Sequence, residues 1–429
     1  MYESYLKNCF MNIHRVYFIT MLFFIATAVA LEPSVELLNG FVAILRAPDI
    51  LITDYIYVGG FPAAILNSAI TSLMSLGMLI AFKHDPKSAT VSNLWLITGF
   101  AFFGKNPLNV LPIFFGGWLY SKYMRQDFNI NILTTLVAAS LSPAVTQKVF
   151  IGSESDAVNL VFAIGMGVFI GFVFDPIAKN IFKAHDGFNL FNAGFAAGLL
   201  AIIITSVFAS YNLAYEMNEQ WSTGNSTQVT AFVTLLSIWL ICIGLYMKRD
   251  DPMSAIRDIL VLRKYQNDYY SRCGCTCYIN MGVLGLFCVL VANIAGFELT
   301  GPILGGIITV MGFGANGMQI YSTSSLMVGV VVATLISPLS LFEPGVSIAF
   351  FFVACLSPIP AKYGWHWGVI AGIIHLHLAT SLAMPSGGIN LYNNGVAAGF
   401  VVILLLPLLR AMDQRKEDAA AKAAATTGK

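Results

Sequence analysis

Residues 187–198 read GFNLFNAGFAAG, and residues 388–399 read GINLYNNGVAAG. Eight of the twelve positions are identical, and at Phe188/Ile389, Phe191/Tyr392 and Phe195/Val396 the change stays within aromatic and apolar side chains. So dense a match 201 residues apart marks an internal duplication. The same spacing pairs Gly167 with Gly368 and Gly171 with Gly372. Upstream, Leu141-Ser142-Pro143 answers Leu356-Ser357-Pro358, and Phe103-Gly104-Lys105-Asn106 answers Phe313-Gly314-Ala315-Asn316, in the same order at other spacings. A loose match of FKHDPKSA near Lys83 to MKRDDPMSA near Lys248 is shorter and out of register with these.

The chain that carries the repeat has 429 residues, 57% apolar and 10% charged, with a mean hydropathy of +0.75. A soluble domain has about 25% charged residues, so this composition cannot clothe a water-facing surface. It disfavours a soluble enzyme and a secreted disulfide scaffold, and a net charge of +1 gives no nucleic-acid signature. The expected fold is all-α and polytopic, with about 12–14 transmembrane or re-entrant helices, each crossing needing roughly 20 apolar residues. The first segment, Val16 to Leu31, ends in Ala28-Val29-Ala30 and could pass for a signal peptide. It is expected to be retained, because Val229 to Tyr246 holds the matching place in the second half. Leu94 to Tyr120 and Gly301 to Ile336 are Gly/Asn-interrupted pairs, each either two short crossings or one hairpin dipping into the membrane.

Threading these segments with the N-terminus in the cytoplasm puts 20 of the 23 Lys and Arg on that side, leaving Arg46, Lys105 and Lys148 elsewhere. The opposite segments carry Glu216, Glu219, Glu298 and Glu343. The layout is a first repeat over 1–212, a second over 213–410 with a cytoplasmic amphipathic segment at 248–277, and a cytoplasmic tail over 411–429. Both termini are expected in the cytoplasm, in a cell membrane. In this layout the helix after Gly187 runs outward and its copy after Gly388 runs inward, which makes the repeats inverted. Inverted repeats recur in secondary transporters, with the binding site where the copies meet.

Candidate binding residues follow from the repeat. Asn189 and Asn192 stand three apart, as do Asn390 and Asn393, a spacing that puts each pair on one helical face. Amides donate and accept hydrogen bonds, which suits a neutral polar solute; they also cap helices and join membrane helices. Asn106 and Asn109 in Lys105-Asn106-Pro107-Leu108-Asn109, with Asn316 and Gln319 in Ala315-Asn316-Gly317-Met318-Gln319, form a second paired set around helix breakers. Lys105 is a candidate for charge coupling if it lies at membrane depth. Asp175, four residues before Lys179, reads as a local ion pair or a proton relay, and His377 as a proton-coupling candidate, whereas His375 should point away from it. Cys273, Cys275 and Cys277 form a C-x-C-x-C run that fits a thiol-rich helix start, a thiolate site or lipidation. No metal or cofactor is expected, and there is no Walker A, nucleophile elbow or HExxH sequence.

The Asn-Pro-Leu-Asn element and the paired GFNLFNAGFAAG/GINLYNNGVAAG elements resemble an uncharacterised bacterial family of polytopic membrane proteins in which one unit occurs twice. More loosely, Asn106-Pro107-Leu108 followed by Gly187 to Asn192 is similar to urea channels, whose two inverted halves carry such a turn and helix start; the second copy here lacks the proline. The expected function is a secondary transporter or facilitator of a small polar solute, not an enzyme. The alternatives are a passive channel for a neutral solute such as urea, and a non-transport membrane protein. The expected partners are the solute and membrane lipid, with no nucleic acid, and a homo-oligomer is compatible.

Overall fold

Long apolar runs without charges fold as helices because a helix satisfies every backbone polar group internally, which a lipid environment demands. The computed structural model describes residues 2–146, 156–211, 219–249, 251–261, 269 and 273–427. Lys148, Glu216 and the part of the 248–277 segment at 250, 262–268 and 270–272 lie outside the described residues. The first half contains α1 (Tyr2–Leu31), α2 (Val35–Arg46), α3 (Tyr55–Gly59), α4 (Phe61–Ala81), α5 (Ser88–Phe100), α6 (Pro107–Tyr123), α7 (Ile132–Ala138), α8 (Asp156–His185) and α9 (Asn192–Ser210). The second contains α10 (Ser226–Met247), α11 (Pro252–Val261), α12 (Thr276–Ala295), α13 (Gly301–Phe313), α14 (Ile320–Ile336), α15 (Pro344–Phe352), α16 (Pro358–Tyr363), α17 (Trp365–Leu382) and α18 (Asn393–Thr427). The fold is all-α and polytopic. Stretches within α1, α4, α8, α9, α10, α12 and α18 are long and apolar enough to cross a membrane.

The two halves are built alike. Asn67 Nδ2 on α4 donates to the carbonyls of Ala101 (2.7 Å) and Lys105 (2.8 Å), and Asn280 Nδ2 on α12 donates to those of Gly314 (2.9 Å) and Met318 (2.8 Å). Each amide thereby satisfies two carbonyls freed where a helix breaks. This fixes the true register of the α5–α6 and α13–α14 hairpins at 213 residues, three more than the Phe-Gly match suggests. Gly104 corresponds to Gly317, both at positive φ (79° and 97°), whereas Gly314 is right-handed. Lys105 therefore corresponds to Met318, Asn106 to Gln319 and Asn109 to Ser322. Gly116 and Gly171 pack α6 on α8 as Gly329, in the same register, and Gly372, 201 residues on, pack α14 on α17: a Cβ on Gly171 would lie 2.0 Å from Ile113 O, and one on Gly372 2.3 Å from Leu326 O.

Contacts between the halves are reciprocal. Leu190 N donates to Cys355 O and Leu391 N to Ser140 O, both at 3.0 Å, which confirms the Leu-Ser-Pro correspondence. Cβ atoms built on Gly194 and Gly395 would each meet the other's Cα, at 3.1 and 2.9 Å, so α9 and α18 cross in close contact there. Reciprocity of this kind is the mark of a two-fold relation. α5 and α13 run antiparallel: Gly99 abuts Gly305, Trp95 abuts Gly312, and Asn316 Nδ2 donates to Ser92 Oγ (3.1 Å). Each has 13 residues, about 20 Å at 1.5 Å per residue, too short for a ~30 Å hydrocarbon core.

Asp54 joins the halves at one end of this pair. Its carboxylate caps α3 through Ile56 N (2.8 Å) and accepts from Gly301 N (3.0 Å), Ser222 N (2.9 Å) and Ser222 Oγ (2.5 Å). Tyr55 N donates to Phe102 O (3.1 Å) beside it.

Candidate functional site

Two cavities flank the crossing of α9 and α18. The first, about 550 Å³, lies where α5 begins and the α13–α14 turn ends; Ser92, Asn93, Asn189, Asn316 and Tyr392 supply its polar lining, and Asp186 stands at its edge. The second, about 360 Å³, is lined by Ile52, Glu219, Glu343, Thr380, Asn393 and Asn394. They share three equivalent positions: Leu133, Phe182 and Ala193 line the first, while Ile348, Ala383 and Asn394 line the second. The second lies by the Asp54 end, since Ile52 O accepts from Gln220 N and Gln220 O from Asp54 N. The two cavities thus lie toward opposite ends of the antiparallel α5/α13 pair, on either side of the Tyr392–Asn393 link.

A cluster of rings closes the inner side of the first cavity. Phe100 meets Tyr392 edge-on at 4.7 Å between centroids, and the equivalent pair, Phe313 and Phe191, meets at 4.9 Å. Phe191 and Tyr392 join the two pairs at 5.2 Å, and Phe352, one turn beyond Ile348, stacks on Phe100 at 5.5 Å. Edge-to-face rings at these distances are mutually attractive, so the cluster is a stable septum. Phe191, Phe313 and Tyr392 form the inner wall of the first cavity.

The predicted amides divide between cavity and framework. Asn189 lines the first cavity but precedes α9 instead of sharing its face with Asn192; its Oδ1 accepts from Phe191 N (2.9 Å) and its Nδ2 donates to Gly395 O (2.9 Å). Asn390 makes the same turn, with Tyr392 N donating to its Oδ1 (3.0 Å). The left-handed Gly187 and Gly388 just before these turns explain the glycine that opens both motifs. Asn316 lines the first cavity and Asn393 the second, where Asn393 Nδ2 donates to Ala379 O (2.7 Å). The Asn192 side chain lies outside the described ones.

Asn106 and Asn109 are framework. Asn106 Oδ1 accepts from Leu108 N and Asn109 N, and Asn109 Oδ1 accepts from Asn106 N, a capping box that starts α6 over Pro107 at its first turn. Asn109 Nδ2 also donates to Asp49 Oδ2 (3.0 Å), which takes Thr146 Oγ1 (2.9 Å) as well, while Asp49 Oδ1 takes the Tyr55 hydroxyl (2.8 Å). Gln319 stands before α14 and donates from Nε2 to Ile259 O (3.3 Å). Neither pair meets in a common cavity.

The charged candidates also separate. Asp175 pairs with Lys179 at 2.7 Å, and Lys179 reaches Asn131 Oδ1 (3.0 Å), so it is a local ion pair. His377 is exposed and lines neither cavity; His375 is the buried one, its Nε2 3.2 Å from Asn394 O behind the second cavity. Lys105 is completely buried, and its Nζ lies 5.0 Å from the centroid of Phe100 in the septum. Cys277 is buried in the first turn of α12.

The septum, Asp49 and Asp54 escaped sequence reasoning. The septum left one signal: the aromatic character kept at Phe191/Tyr392 within the motif. Single acidic residues in loops left none.

Among known proteins, the profile described as "Protein of unknown function (DUF1576)" matches the chain twice, over residues 34–210 and 253–411. Each match contains one hairpin and one copy of the Gly-x-Asn motif. No curated protein and no solved structure matches.

Proposed function

The chain belongs to the DUF1576 family of unknown function, whose model it matches twice, and from that premise we propose that it is a secondary transporter or facilitator of a small polar solute. The observation that carries this reading is the pair of cavities that share three equivalent positions of the two halves, the first of them walled by the aromatic septum. A two-fold device whose halves can exchange conformations would open each cavity in turn while the rings keep the other closed. The antiparallel α5/α13 pair supports repeats that are inverted in the membrane.

Charge supports an orientation in a cell membrane with both termini cytoplasmic. The first cavity opens beside Lys83 and Lys87, just before α5, and beside Asp186, which pairs with Arg410 of α18; the second opens beside Glu219 and Glu343. Positive residues favour the cytoplasmic side. Polar lining with few free charges suits a solute recognised by hydrogen bonds, moved without chemical conversion and without a cofactor.

Flux in proteoliposomes tests this. A carrier gives saturable uptake with counterflow, and Asn189→Leu or Asn393→Leu lowers it about tenfold, since a lost hydrogen bond is worth about 1–1.5 kcal/mol. Non-saturating flux without counterflow makes the protein a channel, for example for urea. A broad solute panel with no flux at all returns it to the non-transport class.

A further inference from the structure

The two hairpins share a frame but not a charge. Lys105 stands at the turn of the first, where the second has Met318. The Lys105 Nζ is buried, and among the described residues it has neither a hydrogen-bond nor an ion-pair partner. Its one favourable contact is the face of Phe100, which itself packs on Tyr392. A buried ammonium without an acceptor costs several kcal/mol, and a ring face alone offsets about 2.

Two further donors on segments that contact this turn are buried and unpartnered: Asn390 Nδ2, which lies against Gly198 of α9, and Ser140 Oγ. Their segments close over the Lys105 turn. Leu391 N bonds Ser140 O, the Leu391 side chain fills the space beside Gly104, and Ser142 Oγ donates to Gly104 O (2.7 Å). Nearby acids are committed elsewhere: Asp49 to Tyr55, Asn109 and Thr146, and Asp54 to Ser222, Ile56 and Gly301.

We propose that Lys105, with Asn390 and Ser140, is an anion subsite beside the septum, and that the solute carries one negative charge, as a small monocarboxylate does. The Lys105 ammonium is the counter-charge, and the Asn390 amide and Ser140 hydroxyl donate to the carboxylate oxygens. The anion supplies the acceptor that the resting protein lacks, and it binds where the Lys105 turn packs against Phe100. This rests on the transport reading for the identity of the cargo, but binding can be measured apart from flux.

The experiment is thermal unfolding of the purified full chain in detergent, at fixed ionic strength, titrated with formate, acetate, lactate and glycolate, and with urea and acetamide as uncharged probes. At least one carboxylate should raise the melting temperature saturably, and Lys105→Met should weaken its apparent affinity about 10- to 100-fold, as loss of a charged hydrogen bond does. Lys105→Arg should retain most of it. Methionine is what the second hairpin carries, which favours folding of that variant; if it does not fold, Asn390→Leu in an otherwise wild-type chain must show the same weakening. Carboxylate shifts that are absent, or equal in wild type and variant, overturn the subsite. Flux of uncharged solutes with such a result leaves the transport reading standing, whereas carboxylate binding without any flux removes that reading and keeps the subsite.

Discussion

The first hairpin, α5–α6, and the second, α13–α14, are clamped identically and furnished differently. Asn67 and Asn280 hold the two turns by the same pair of carbonyls. Beyond that clamp the first turn has a buried lysine, a two-asparagine capping box and the Asp49 network, while the second has Met318, Gln319 and Ser322. The frame is what duplication preserved, because each clamp satisfies backbone that lipid cannot.

That comparison can be broken most forcefully at Asp49, which serves the first hairpin alone. Replacing Asp49 with Ala strands the Tyr55 hydroxyl, the Asn109 amide and the Thr146 hydroxyl, at a cost of about 3 kcal/mol or more. Unfolding in detergent should show it, and a loss under 1 kcal/mol would make the network an ornament. The clamps come next. Asn67→Ala and Asn280→Ala should each cost about 2 kcal/mol, two buried bonds apiece, and should agree within about 0.5 kcal/mol. A clear inequality would mean that the halves are not mechanically equivalent. The smallest effect belongs to the septum: Tyr392→Phe, which makes the position like Phe191, should shift stability by less than about 0.5 kcal/mol, because the ring packing is kept. A larger loss would assign the Tyr392 hydroxyl a structural bond at the cavity wall.

The duplication and the all-α membrane architecture were legible in the sequence, since hydropathy and the Gly-x-Asn-Leu motifs survive in the residues themselves. The register of the hairpins was not. Phe103-Gly104 and Phe313-Gly314 match by letters, but which glycine adopts positive φ is decided by the fold, and it is Gly317 that does. The asparagines were recognised as special, yet spacing cannot distinguish an amide that caps α6 from one that faces a cavity. Asn189, Asn316 and Asn393 face cavities; Asn106 and Asn109 cap and brace. Lys105 was singled out by its charge, which the letter match set against Ala315, and only packing shows that its counterpart is Met318. His377 drew attention by polarity, whereas helix rotation buries His375 instead.

The reciprocal main-chain bonds from Leu190 to Cys355 and from Leu391 to Ser140 set a schedule for biogenesis. When the ribosome has made Leu190, its acceptor is still about 165 residues away, and Ser140 waits longer for Leu391. At 5–20 residues per second, the first half stays unlocked in the bilayer for roughly 8 to 33 s. During that interval its open main-chain groups need a protein surface or water, so the nascent first half is a natural client for the insertion machinery. Supplied as a separate polypeptide, it would have to find the second half by diffusion in the membrane before it could close.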